Sequence, residues 1–581
     1  MPDPQLVLAT RVQAAITAAF GPEFAGTDPV IRPSQFADFQ ANVALPLAKR
    51  LGRKPRDVAN EIAAKLDVGD VCTGLEVSGP GFINLTLSDA WIARQAQAMH
   101  GDDRLAVAQV ERPQTVVVEY SSPNVAKEMH VGHLRTTIVG DAIARVLDFL
   151  GHTVVRDNHV GDWGTPFGML IEHLLDVGED SADARLLETD PNTFYQAARV
   201  TFDSDAAFAE RSRERVVKLQ GGDAETLRHW HKLVELSKEY LRRMYGRLGV
   251  SLTDDDIRGE SFYNDLLAPT AAELEDKGLA ELSDGALCVF PAGFTGRGGE
   301  RLPVIIRKTD GGYNYSTSDI ATIRYRVDEL NVDRAIYVVG APQSLHFQMV
   351  FAVARAAGWV SDEVRLEHAQ IGNVLGTDGK ILRTRAGGTI KLSELLEEAV
   401  ERAGQEFDKI EHDEPFDERT QKAIIEAVGI GAVKYADLSV ALDSEYVFDF
   451  DRMISFKGNT GPYLQYATAR IRSIFRKGGL RPEDARGPIV VGTPAERALA
   501  LRLLGFGAAV ELTGETAQPH RLCGYIFELA SAFTAFYENC PVLKEGVDPA
   551  VRVSRLALCA LTLETLVRGL GLLGVVAPER M

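Results

Sequence analysis

Val116-Val-Val-Glu-Tyr-Ser-Ser-Pro-Asn-Val-Ala-Lys-Glu-Met-His-Val-Gly-His133 is the stretch on which the reading of the chain turns. Val116 to Tyr120 has the make-up of a short buried strand, the proline marks a loop, and a helix opens near His130. Leu134, Ile138, Ala142 and Val146 fall on one face of that helix, which should end before Gly151. A strand that feeds a loop and a helix N-terminus makes an anion site, because unpaired N–H groups point outward and the helix dipole favours negative charge. His130 and His133 are three apart and can face that end together. Gly132 leaves space there for a flat ring against the backbone. An isolated histidine pair is more often a local cap. Lys127 and Asn124 in the same loop favour the anion site.

The whole chain sets bounds on this reading. Its 581 residues suit about four domains. Hydrophobic residues make up 45% and charged residues 25%, as in ordinary globular proteins. No apolar run reaches the roughly 18 residues of a membrane span. The N-terminus lacks a basic region followed by an apolar core, so a cytoplasmic location without a membrane partner is expected. Cys72, Cys288, Cys523, Cys540 and Cys559 have no paired spacing, so neither a disulfide framework nor a structural metal site is expected. A formal net charge of -19 argues against non-specific coating of nucleic acid, but leaves room for a local basic strip.

In chain order, residues 1–105 read as a small α+β unit. A helix over Gln5–Phe20 and another over Arg56–Leu66 precede two strands around the Gly-Pro-Gly turn at 79–81. From 112 to 395 strands and helices alternate, which predicts a parallel sheet. Thr153–Asn158 is its second strand, and the loop from His159 to Pro166 flanks the same carboxyl edge. A polar helical insertion interrupts the rhythm over about 175–280. The sheet is expected to resume at Arg301–Lys308, and the Ala335–Gly340 segment is a further strand. The loop from Gly376 to Gly388 carries Lys380, Arg383 and Arg385 and could close over phosphates, although a solvated hairpin explains it equally well. Beyond 395 the chain is helical, as a connecting region (396–460) and an all-α unit (461–581). Gly429-Ile-Gly-Ala-Val-Lys lies inside a helical pattern and is no phosphate loop.

His-Val-Gly-His resembles the His-x-Gly-His motif of class I aminoacyl-tRNA synthetases. The fifteen-residue run from Ser121 to Arg135 resembles arginyl-tRNA synthetases in particular. The resemblance extends over nearly the whole chain. It implies a multidomain α/β protein with a Rossmann-like catalytic core, an N-terminal domain that touches the outer corner of tRNA, and a C-terminal helical anticodon-binding domain. L-arginine would attack ATP, supplied as its Mg²⁺ complex, to give arginyl-adenylate, and the arginyl group would pass to tRNA. The expected partners are L-arginine, ATP and the tRNA for arginine, with the protein a monomer.

Matched residue by residue, the resemblance assigns ATP contacts to His130, Gly132, His133, Gly161, Asp162 and Gly372. Class I enzymes carry a Lys-Met-Ser-Lys-Ser loop where this chain has Lys380-Ile-Leu-Arg-Thr-Arg-Ala-Gly-Gly. Many arginyl enzymes lack it too, and a lysine just before the histidine motif stands in; Lys127 holds that position. Charge stabilisation would come from His130, His133, Lys127, Lys380, Arg383 and Arg385. Tyr315 and Asp319 would read the guanidinium, which is best held by carboxylates. Glu119, Asn124 and Gln343 would hold the α-amino and carboxylate end. A strand-end pairing of Glu119 with an arginine is the alternative. Phe36, Phe39, Gln40 and Asn42 would face RNA in the first domain, and Tyr463 and Arg470 in the last. No protein-bound metal is implied.

Two other classes compete with this reading. A related nucleotide-activating enzyme, such as a cysteinyl or glutamyl synthetase or an adenylyltransferase, suits the acidic pocket residues and scattered cysteines less well. A non-catalytic tRNA-binding paralogue would not be expected to keep His130, His133, Lys127 and Asp319.

Overall fold

The computed structural model describes residues 3–125, 127–309, 311–382, 390–409 and 415–581. The opening helix α1 (Pro4–Phe20) buries Leu8, Val12 and Ile16, one face at helical spacing. Strands β1 (Ile31–Pro33) and β2 (Phe39–Ala41) lead to α2 (Ala44–Leu51) and α3 (Pro55–Lys65). β3 (Cys72–Ser78) and β4 (Phe82–Leu87) complete an antiparallel sheet in the order β1-β2-β4-β3. Sequence reading found only its last two strands. The first two have three residues each, too few to show a period. Helix α4 (Asp89–His100), capped by Ser88, leads out of this domain.

The parallel-sheet core begins with β5 (Thr115–Glu119), whose Val116, Val117 and Val118 are fully buried. Helix α5 (Val131–Leu150) follows and packs so closely on the end of this strand that a side chain at Gly140 would collide with Tyr120. β6 (Thr153–Asp157) pairs with β5 in parallel. The chain then leaves the sheet through α6 (Thr165–Val177), α7 (Leu186–Thr189), α8 (Pro191–Ser204), α9 (Ala206–Gln220), α10 (Ala224–Leu248) and α11 (Asn264–Asp276).

The sheet does not resume at Arg301. β7 (Ala280–Ser283), β8 (Ala286–Val289) and β9 (Val304–Arg307) form their own antiparallel sheet. Val304 and Ile306 are buried while Ile305 and Arg307 are only partly so, the alternation of a strand with one covered face. Central parallel strands are covered on both faces, as β5 is. After α12 (Tyr315–Asp328) the chain rejoins the core as β10 (Arg334–Gly340), α13 (Ser344–Ala356) and β11 (Arg365–Ile371). The finished sheet is parallel, in the order β11-β10-β5-β6. Its connections leave β5 in opposite directions, so a crevice opens at the carboxyl ends of β5 and β10.

β12 (Val374–Leu375), α14 (Leu392–Phe407), α15 (Glu418–Leu438), β13 (Tyr446–Val447) and α16 (Phe450–Met453) connect this core to the last domain. That domain consists of α17 (Gly461–Gly478), α18 (Pro494–Leu503), α19 (Phe506–Thr516), α20 (His520–Asn539) and α21 (Pro549–Leu572). Arginines are among the residues that bind the parts together, and two illustrate how. Arg135 of α5, fully buried, donates to Asp437 of α15 at 2.7 Å and to the carbonyls of Gly372 and Ser444. Burial pushes the Asp437 carboxyl up to about 6, against the pull of Arg135. Arg497 of α18 spans two domains: its two terminal nitrogens donate to Asp38 at 2.7 Å, and its Nε donates to Asp89. All five cysteines are buried and free. Among the described residues, no helix is long and apolar enough to cross a membrane.

Candidate active site

His130 is the N-cap of α5, and its conformation is set by local bonds. Its Nδ1 accepts the Gly132 N–H at 3.1 Å, and His133 Nδ1 accepts the His130 N–H at 3.1 Å. The two ring centres are 3.9 Å apart. A side chain at Gly132 would strike the His130 ring, so glycine there is what admits the imidazole. Burial, assisted by His130, holds the His133 pKa down to about 3; burial and Lys127 lower that of His130. Both rings are therefore neutral near pH 7. With each Nδ1 accepting from backbone, the proton of each ring sits on Nε2. The first turn of α5 thus offers two imidazole N–H donors besides its own unpaired backbone.

The loops beyond β5 and β6 are zipped together. Val125 N–H donates to the Gly161 carbonyl and Gly161 N–H to the Pro123 carbonyl. Asn124 Oδ1 occupies the space where a Gly161 side chain would lie. Ser121 and Ser122 both adopt positive φ, at 69° and 46°, a strained conformation for residues with a Cβ. Thr137 of α5 and Tyr245 of α10 hold the Ser121 hydroxyl, and Asn158 accepts from the Ser122 N–H. Asp162 accepts from the backbone and hydroxyl of Ser261. Gly372 sits at the end of β11 against the Ser444 carbonyl, with no room for a side chain.

Negative charge gathers on the other side of the crevice. Glu119, buried, is paired with Arg326 of α12 at 2.6 Å, and the same nitrogen reaches Asp157 at 2.8 Å. This arginine is itself fully buried rather than at the surface. Burial raises the Glu119 pKa; Arg326 and His159 oppose this, while Asp157 and Asp319 add to it. Burial, with Asp162 and Asp319, also pushes Glu260 up to about 7. Five carboxyl groups thus share the region with Arg326, His159 and His346. Tyr315 opens α12 and is 58% exposed. Asp319, one turn on, accepts from His346 Nε2 at 2.5 Å, and the His346 ring lies 5.0 Å from that of Tyr315. Beside Tyr315, a cleft of about 770 Å³ is lined by Glu260, Trp163, Asn314 and Ser318. Gln343 is exposed just past β10.

The structure therefore gathers Glu119, Asn124, Gly161, Asp162, Gln343 and Gly372 at the carboxyl ends of the four strands or just beyond them. Lys380 is exposed in a hairpin, where Gly376 N–H donates to its carbonyl. Arg383 and Arg385 lie outside the described residues. Phe36 is 84% exposed in the loop before β2, while Gln40 is turned to Asn84 at 2.7 Å. Phe39 and Asn42 are half-buried. Tyr463 meets Thr534, and Arg470 lies over the Tyr537 ring. Sequence reasoning did not single out Arg326, Glu260 or His346. The first two sit in helical stretches that look solvated; His346 follows a strand end and was legible only as one polar residue among several.

Three family models cover this architecture. Residues 6–87 match the arginyl-tRNA synthetase N-terminal domain, residues 95–450 the catalytic domain of class I tRNA synthetases (R), and residues 464–581 the DALR anticodon-binding domain. The chain belongs to the arginyl-tRNA synthetases. It is 65% identical to the arginine–tRNA ligase of Thermobifida fusca, over 100% of both chains. It is 50% identical to that of Cellvibrio japonicus, over 99% of both. The arginyl-tRNA synthetase structure from Plasmodium falciparum superposes with a TM-score of 0.84, at 29% identity over 100% of both chains. That from Thermus thermophilus gives 0.82, at 25% identity, over 99% of this chain and 100% of the other. Among the described residues of this synthetase, no group of three or more His, Cys, Asp or Glu residues is arranged to hold a metal.

Proposed function

We propose that this synthetase ligates L-arginine to its tRNA, using ATP as the Mg²⁺ complex and passing through arginyl-adenylate. The observation that carries the reading is the His130–His133 pair on the first turn of α5. Its two Nε2–H donors and the helix N-terminus suit the charge that develops on phosphate oxygens as the arginine carboxylate attacks. Such chemistry needs alignment and charge neutralisation, with no protein nucleophile. Lys127 supplies the fixed cation, joined by Lys380, Arg383 and Arg385. Gly132, Gly161, Asp162 and Gly372 shape the nucleotide site around the zipped loops.

Tyr315 and Asp319 take the guanidinium, for which the surplus of carboxylates is matched. Asn124, Glu119 and Gln343 serve the α-amino and carboxylate end. Because Arg326 already occupies Glu119 Oε2, this residue's share in holding the substrate is the smaller. Phe36, Gln40, Tyr463 and Arg470 contact tRNA at the two ends of the molecule. The enzyme works in the cytoplasm as a monomer.

The test is exchange of pyrophosphate into ATP with each amino acid, with and without tRNA. Exchange with arginine that requires tRNA supports the reading. No exchange with arginine under either condition refutes it.

A further inference from the structure

Helix α8 belongs to the helical insertion and takes no part in the parallel sheet, yet it reaches both flanks of the phosphate site. Its Tyr195 ring faces the Lys127 ammonium, 4.2 Å from the ring centre. Its N-cap, Asp190, lies 3.7 Å from Lys391. Lys391 in turn pairs at 2.7 Å with Glu128, the neighbour of Lys127. The 390–392 segment leads away from the cationic loop, and its backbone is bonded to that of 129–131: Val131 donates to Ile390 and Leu392 to Met129.

A lysine stem has many rotamers, and an unpaired ammonium in a loop spreads over them. A carboxylate could fix it, but would cancel the charge that a phosphate needs. An aromatic face attracts the ammonium through its quadrupole and leaves that charge in place. Among the described residues Lys127 has this aromatic partner and no carboxylate one. Its charge is also felt at both His130 and His133, so the ring holds it beside the imidazole pair.

We propose that Tyr195 is a positioning residue for the reaction, an aromatic rest on the insertion that orients the Lys127 ammonium toward the ATP phosphates without neutralising it. This inference rests on the role given to Lys127 above.

The test is arginine-dependent pyrophosphate exchange in the presence of tRNA, with kcat and KM for ATP measured separately. Tyr195→Leu is expected to lower kcat about five- to tenfold, with KM for ATP little changed, and Tyr195→Phe, which keeps the ring, to restore the rate. Added to Lys127→Ala, Tyr195→Leu should cause no further loss, because the ring then has nothing to hold. A Tyr195→Leu enzyme at wild-type rate would overturn the inference while leaving Lys127 its role. So would a loss that persists undiminished in the Lys127→Ala background, since that is what a merely structural tyrosine would give. A Lys127→Ala enzyme with normal exchange would instead remove the role of Lys127, and the purpose of Tyr195 with it.

Discussion

His346 Nε2 donates to Asp319 Oδ2 at 2.5 Å across the packed helices α12 and α13, and the His346 ring also borders Tyr315. The imidazole fixes the rotamer of the carboxylate proposed above to take the guanidinium. Asp319→Asn is expected to raise KM for arginine about a hundredfold, through loss of a charge-assisted bond and an unmatched amide. His346→Ala should raise it about three- to tenfold, since the carboxylate is kept but loosened. Steady-state aminoacylation across arginine concentrations measures both.

Arg326 stands between two buried carboxylates with its guanidinium over the Tyr337 ring, and its Nε and Nη1 meet no hydrogen-bond acceptor among the described residues. Removing it leaves Glu119 and Asp157 buried and facing each other. Arg326→Met is expected to cost about 3–5 kcal/mol of stability, seen as a lowered midpoint in thermal or urea unfolding. A midpoint equal to wild type would show that the ion triad has little part in holding the strand ends.

His133 is kept neutral by burial, with a pKa of about 3 in the folded protein. Its burial therefore favours the fold above the ordinary histidine value of about 6.5, and the benefit is lost as pH falls below it. The loss runs from about 6.5 toward 3, at up to about 1.4 kcal/mol per pH unit. His133→Asn should flatten this part of the stability–pH curve, as measured by denaturant unfolding between pH 7 and 5.

Glu260 has the opposite sign. Its carboxyl is raised to about 7, so its contribution to stability is full below its ordinary value and is lost as pH rises through about 7. The same deprotonation adds negative charge to the acidic pocket. KM for arginine should fall between pH 6 and 8, and Glu260→Gln should flatten that fall. A pH profile identical in the two enzymes would place Glu260 outside the arginine site.

Much of this was legible in the sequence because it was local. The helix from Val131 to Leu150 shows its apolar face and its terminal glycine, and the strand before it is a run of valines. Gathering Glu119, Asn124 and Gln343 at one edge follows from the rule for parallel sheets once the strands are found. The three-residue strands β1 and β2 have no such period. The pairing of β9 with β8 depends on a partner that periodicity does not name. Arg326 and Glu119 are linked across 207 positions, and nothing in either neighbourhood announces the other. Tyr195 reads as an ordinary helical aromatic until the loop carrying Lys127 is laid beside it.

The clamp of Arg497 on Asp38 bears on how the molecule is made. Its two halves are separated by 459 positions. At roughly 5–20 residues per second, about half a minute to a minute and a half of translation separates them. The small first domain thus leaves the ribosome long before its docking surface exists. It carries Asp38, half of a charged clasp, with the other half not yet synthesised. Its own sheet and helices have to keep it folded through that interval, until α18 arrives with the arginine that closes the clasp.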